Sequence, residues 1–305
     1  MPKTREMVLI SLAADSLALG AHWIYDTSVI DRKFGRVESL LKPPENSFHS
    51  TKDKGDFTHY GDQTMLLLEY LTEKRVFNLR EFAGRWFDYM KNYNGYKDNA
   101  TKQTIFNMEE GMSPDSCGSK SSDLGGASRI SPLIFTLQND PDTLLRVIRE
   151  QTAMTHNNPV VIESAVLIAR ITLEALKGIS PLDALQDLLS GESDNYLLSP
   201  FIKAGLKSKG EDTRQTIRGF GQVCETQSAL PSVIHLLAKY EDDIKNGLIE
   251  NVMAGGDSAA RGMIVGMILG AYHGDSSGIP HDWIKDLRVY DRIIECLESI
   301  GSWIE

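Results

Sequence analysis

The chain has 305 residues, of which 41% are hydrophobic and 24% charged, and a formal net charge of -10. That length and apolar content support one large buried core and exclude a chain dominated by structureless tracts. The acidic balance excludes general nucleic-acid binding, which needs a basic surface to displace counterions. It leaves an anionic small ligand compatible, because helix N-termini hold phosphate locally.

The three cysteines, Cys117, Cys224 and Cys296, are odd in number and far apart, with no C-x-x-C pair. This predicts neither a zinc knuckle nor a disulfide framework, and it fits a reduced cytoplasm. The apolar stretch after Glu6 is interrupted by Asp15, and no run is long enough to span a bilayer. The expectation is a soluble, cytoplasmic protein forming one domain over residues 1–305.

Helix signals recur along the chain. Thr4 caps a helix predicted over residues 4–19, and a second is predicted over 61–74. Asn78 and Glu81 form a capping box before Phe82, Trp86, Phe87 and Met90. Asp140-Pro141, Asn158-Pro159, Ser180-Pro181 and Ser199-Pro200 each pair a polar cap with proline at a helix start. Gly178, Gly191 and Gly210 stand where left-handed C-caps are expected. Further helices are predicted over 229–240, 242–253, 257–272 and 291–303. No sustained period-two alternation occurs, so the fold class is all-α. Two long loops, 35–60 and 111–126, are of the kind that often carry a site.

Four segments carry more than packing information. In the first, Asp15 falls among apolar residues and must be hydrogen-bonded or ligated, a structural bond to an amide or hydroxyl being the simpler outcome. His22 and Trp23 follow, either as a pocket rim or as a packed pair. In the second, Asp62 opens a helix, where a carboxylate is favoured with or without a metal. The third joins Gly125, Gly126 and Arg129 with Thr155 and His156. Adjacent glycines let backbone amides approach a ligand oxygen, and Arg129 suits either a phosphate or a local carboxylate. The fourth is Gly255-Gly256-Asp257-Ser258-Ala259-Ala260, followed by Gly262, Gly266 and Gly270 at the spacing that brings another backbone close. Asp257 again opens a helix, as a cap or as a ligand.

In this order the four segments resemble the ADP-ribosylglycohydrolase family, which also contains the J1 crystallins. Ala14 to Ala18 is similar to the family's opening Gly-Asp-Ala-Leu-Gly. Tyr60-Gly61-Asp62-Gln63-Thr64-Met65 is similar to its Thr/Ser-Asp-Asp-Thr-x-Met. Ser128 to Pro132 and Thr155-His156 resemble its central segments, and Gly255 to Ala260 its Gly-Gly-Asp-Thr-Asp-Thr. The segment from Leu19 to Asp26, taken with 60–64, resembles most the branch of selenoprotein J and the J1 crystallins. The resemblance implies a compact orthogonal helical bundle with a central cleft. It implies hydrolysis of an N- or O-glycosidic bond of ADP-ribose, with ADP-ribose or an ADP-ribosylated protein as partner and no nucleic acid or membrane. By position, Asp62 and Asp257 would be metal ligands and catalytic residues, with His22 assisting. Gly125, Gly126, Arg129, Thr155, His156, Gly255 and Gly256 would line the substrate cleft. Tyr60-Gly61 and Ala259-Ala260 stand where the family has hydroxyl and carboxylate oxygens. The expected cofactor is therefore one magnesium ion or none, and the alternative is a binding or crystallin-like homologue without catalysis.

Overall fold

The computed structural model describes residues 2–191 and 197–304. Among these residues there are helices and two isolated bridges but no strand, so the molecule is an all-α bundle. None of the described helices is long and apolar enough to cross a membrane.

The capping grammar is obeyed at several starts. Asn78 accepts from the Glu81 amide at 3.1 Å to open Leu79–Lys91. Asp140 and Asn158 do the same for Pro141–Ala153 and Pro159–Leu176, each with proline in the first turn. Of the three expected C-cap glycines, Gly178 adopts positive φ (89°), Gly191 is the last residue of Pro181–Gly191, and Gly210 lies beyond the Ser208 cap of Ser199–Lys207 without a left-handed φ.

The centre of the bundle is the pair Pro2–Leu19 and Ser258–His273. Residues 7–19 and 258–271 are buried on every side because neighbours surround both helices. Gly262, Gly266 and Gly270 form the stripe that lets them touch. A methyl at Gly266 would lie 2.8 Å from the Ile10 carbonyl oxygen, and one at Gly270 3.2 Å from that of Glu6. This close approach brings the start of the second helix, with Asp257, towards the end of the first, with His22.

Candidate functional site

Four chain segments are fastened together at that meeting point. The Trp23 amide donates to the Gly256 carbonyl, and the Gly256 amide to that of Ile24, both at 2.9 Å. The Asp257 amide donates to the Gln222 carbonyl at 2.8 Å. Asp123 bridges antiparallel to Glu225, while the Leu124 amide donates to the Cys224 carbonyl and the Thr226 amide to that of Ser122. Backbone pairing thus places Asp123, Cys224 and Asp257 around one point. One ligand-type atom from each lies within 4.8 Å of the others.

Tyr60 points into this cluster from the first turn of His59–Lys74. Its hydroxyl donates to Asp257 Oδ2 at 3.0 Å, with Asp123 Oδ2 at 3.4 Å. Burial pushes the Tyr60 phenol well up and keeps it protonated. Burial likewise raises both carboxyls. Mutual repulsion adds to this at Asp123, while Arg261 opposes it at Asp257. Burial and the two carboxylates also push the Cys224 thiol up.

The buried atoms here that lack hydrogen-bond partners include Asp257 Oδ1 and, 4.0 Å away, His22 Nε2. His22 Nδ1 has no partner either, and burial holds the ring well below its ordinary pKa and therefore neutral. His22 stacks on Trp23 at 4.4 Å, so it serves both as a packed ring and as part of the polar cluster. Trp23, Tyr96 and Phe48 form an edge-to-face group beside it, with Phe48 61% exposed. Trp23 holds φ at +63°, a strained value for a bulky residue, imposed by its backbone bond to Gly256.

The remaining expected residues divide into separate groups. Asp62 is not brought to Asp257. Two residues beyond Tyr60, it is turned about 200° around the helix. There it is bonded to the Lys52 ammonium and the Tyr93 hydroxyl. It lines a different cavity, of about 370 Å³, with Asp56, Glu69, Arg85 and Arg292. Gly61, between them, faces Asp15, where a methyl would lie 2.7 Å from Oδ2. Asp15 accepts from the Thr58 amide at 2.7 Å and its hydroxyl at 2.6 Å, the structural bond expected of a buried carboxylate.

The glycines act by packing. The Gly255 and Gly256 amides are taken by the Val252 and Ile24 carbonyls, so neither is directed at a ligand. Both adopt positive φ, and Arg261 donates to the Gly255 carbonyl at 2.6 Å, bracing the turn from inside. A side chain at Gly125 would strike the Tyr60 ring, and one at Gly126 would lie 2.6 Å from the His156 ring. Arg129 is buried and pairs with no carboxylate directly among the described residues. It bonds to Gln63 Oε1 and, at 2.6 Å, to Thr155 Oγ1, which contacts His156 Nδ1 at 2.9 Å. Burial lowers the His156 pKa to about 3, so neither it nor His22 stores a proton near neutral pH.

Magnesium requires near-octahedral oxygen ligands at about 2.1 Å. The residues present do not fit a magnesium pair. The Asp62 carboxylate carries an ammonium and a phenol, a phenol bridges Asp123 and Asp257, and a thiol completes the only such cluster among the described residues.

Of the residues that meet in this cluster, the sequence singles out Asp257 and His22 and does not point to Asp123, Cys224 or the placement of Tyr60. Asp123 lay in a long loop two residues before the glycine pair, which was the available signal. Cys224 had none, since only the bridge at Glu225 brings it in.

Comparison with known proteins supports the same frame. Crystallin J1A of Tripedalia cystophora is 21% identical, over 99% of this chain and 97% of its own. Crystallin J1B of the same animal is 22% identical, over 93% and 91%. A solved structure titled ADP-ribosylglycohydrolase-related protein complex shares the fold. Its TM-score is 0.76 at 20% identity, with 100% of this chain and 99% of that chain covered. The ADP-ribosylglycohydrolase profile matches residues 2–304, and the chain belongs to that family.

Proposed function

We propose that this protein hydrolyses the glycosidic bond of an ADP-ribosyl or related nucleoside-type substrate, at the cluster around Asp257 and without a magnesium pair. The observation that carries the reading is the facing of Asp257 Oδ1 and His22 Nε2, both buried and unpartnered, 4.0 Å apart. Leaving such atoms without partners costs about 1–3 kcal/mol each. A substrate hydroxyl or a hydrolytic water placed between them would satisfy both. Asp257 is then the acceptor that activates the water and His22 the group that orients it, while Tyr60 fixes the carboxylate from its other oxygen. Trp23, Phe48 and Tyr96 supply aromatic surface for a base or ribose face. ADP-ribose or an ADP-ribosylated protein is the proposed partner and the cytoplasm the proposed setting.

A second reading, a cleft that binds without cleaving, is favoured by Gly61, Ala259 and Ala260, which bring no oxygen where the family has donors. The two are separated by following ADP-ribose release from an ADP-ribosylated protein in buffer without added magnesium. Hydrolysis predicts release above a heat-killed control. It also predicts a loss of at least about 100-fold in Asp257→Asn, against less than about tenfold in Asp62→Asn. Binding with no release favours the second reading. Equal activity in Asp257→Asn and the parent removes the proposed role.

A further inference from the structure

We propose that Asp123, Cys224 and Asp257 form a site for one borderline-soft divalent cation of the zinc type. This goes beyond the hydrolase reading and needs no ADP-ribose. The donors are two carboxylates and a thiol, from segments separated by 101 and 33 residues, with one ligand-type atom each inside a 4.8 Å sphere of mutual separation. A thiolate selects zinc over magnesium, whose preference is for oxygen alone.

Three further features support an ion here. The ligand segments are held in place by the Asp123–Glu225 bridge and the Asp257-to-Gln222 bond, so little ordering remains to be done on binding. Tyr60 takes the Oδ2 atom of Asp257 and approaches that of Asp123, orienting both carboxylates from behind as outer-sphere donors do around metals. Asp257 Oδ1 is left free, and the wholly buried His22 ring directs an unpartnered Nε2 at it from 4.0 Å. Zinc bonds of about 2.0–2.3 Å require neighbouring ligand atoms about 3.3–3.7 Å apart. The donors therefore need to close by at most about 1.5 Å. Three protein ligands leave a fourth position on the His22 side, either for that imidazole or for water.

The test uses the full chain, stripped with chelator and then equilibrated with zinc chloride or cobalt chloride alone. The expected result is one zinc per chain retained through gel filtration. The cobalt form should show a near-ultraviolet thiolate-to-cobalt absorption. Cys224→Ser should abolish that absorption and weaken zinc binding at least tenfold, while Asp62→Asn should retain both. A wild-type readout needs no variant. Cys224 is half-buried and its thiol is pushed up, so iodoacetamide at about pH 9 should label it slowly in the native protein, at a rate read on the Cys224 peptide. Zinc, but not magnesium, should slow that labelling at least tenfold. Failure to retain zinc, a cobalt spectrum unchanged in Cys224→Ser, or labelling indifferent to zinc would each overturn the proposal. The two readings assign Asp257 Oδ1 as base and as ligand, so turnover is read on chelator-treated protein and zinc retention without substrate, and either can fail without the other.

Discussion

Asp15 is fully buried, and its two oxygens accept from one residue, Thr58. Those bonds favour the charged form, but burial outweighs them and raises its pKa from 3.8 to about 6. The native state therefore holds this proton more tightly than the unfolded chain does. The resulting stabilisation is full below pH 3.8 and is lost as the pH rises through about 6. Two pKa units correspond to about 3 kcal/mol. In Asp15→Asn the amide oxygen accepts from the Thr58 amide and the Thr58 hydroxyl turns to accept from the new NH2, so bonding survives and the titration does not. Urea unfolding at about pH 3.5 and about pH 7 should show the variant gaining about 3 kcal/mol on the parent across that window. A gap independent of pH would mean that Asp15 has the same pKa in the native and unfolded states. At Asp98 the balance tips the other way. Burial alone would raise the Asp98 carboxyl, but the His59 ring at 3.1 Å and the Thr101 amide outweigh it and hold it low.

Among the elements, the long amphipathic helices and their caps were legible because periodicity and proline placement act within a few residues. Asn78, Asp140 and Asn158 all cap where the sequence places them. Thr27–Phe34, Asn99–Glu109 and Thr213–Phe220 were not foreseen. Each opens on an aspartate cap, Asp26, Asp98 or Asp212, but carries too few apolar residues to show a face. The glycine stripe of Ser258–His273 was legible as a close-packing surface, and its partner was not, since spacing names no neighbour. It gives a matched test. Gly266→Ala gains about 1 kcal/mol of helix propensity but drives a methyl against the Ile10 carbonyl, a backbone atom that cannot rotate away. Overpacking costs about 1–3 kcal/mol, so a net loss of up to about 2 kcal/mol is expected. Gly84→Ala, in Leu79–Lys91 with nothing within 4 Å, should instead stabilise by up to about 1 kcal/mol. Equal effects at the two positions would show that the helices yield at their contact.

For the whole molecule, one buried cluster runs from Met7 to Ile300, and the site is assembled only when distant segments close on it. His22, Tyr60, Asp123, Cys224 and Asp257 come from five separate stretches, which explains why the site was half legible. Asp257 and His22 lie in local motifs, whereas Cys224 enters through tertiary pairing alone. A ligand bound across these stretches must stabilise the native bundle as a unit, because the unfolded chain has no such site. At 100 times its dissociation constant, ADP-ribose should contribute about 2.7 kcal/mol. For a chain of this size, that shifts Tm by roughly 5 °C. The shift should grow with the logarithm of ligand concentration and appear equally with and without added magnesium, since Asp62 is engaged by Lys52 and Tyr93. A shift that needs magnesium would return Asp62 to the site. An unchanged Tm at millimolar ADP-ribose would remove that ligand, leaving the Asp123–Cys224–Asp257 cluster to be explained by ion binding.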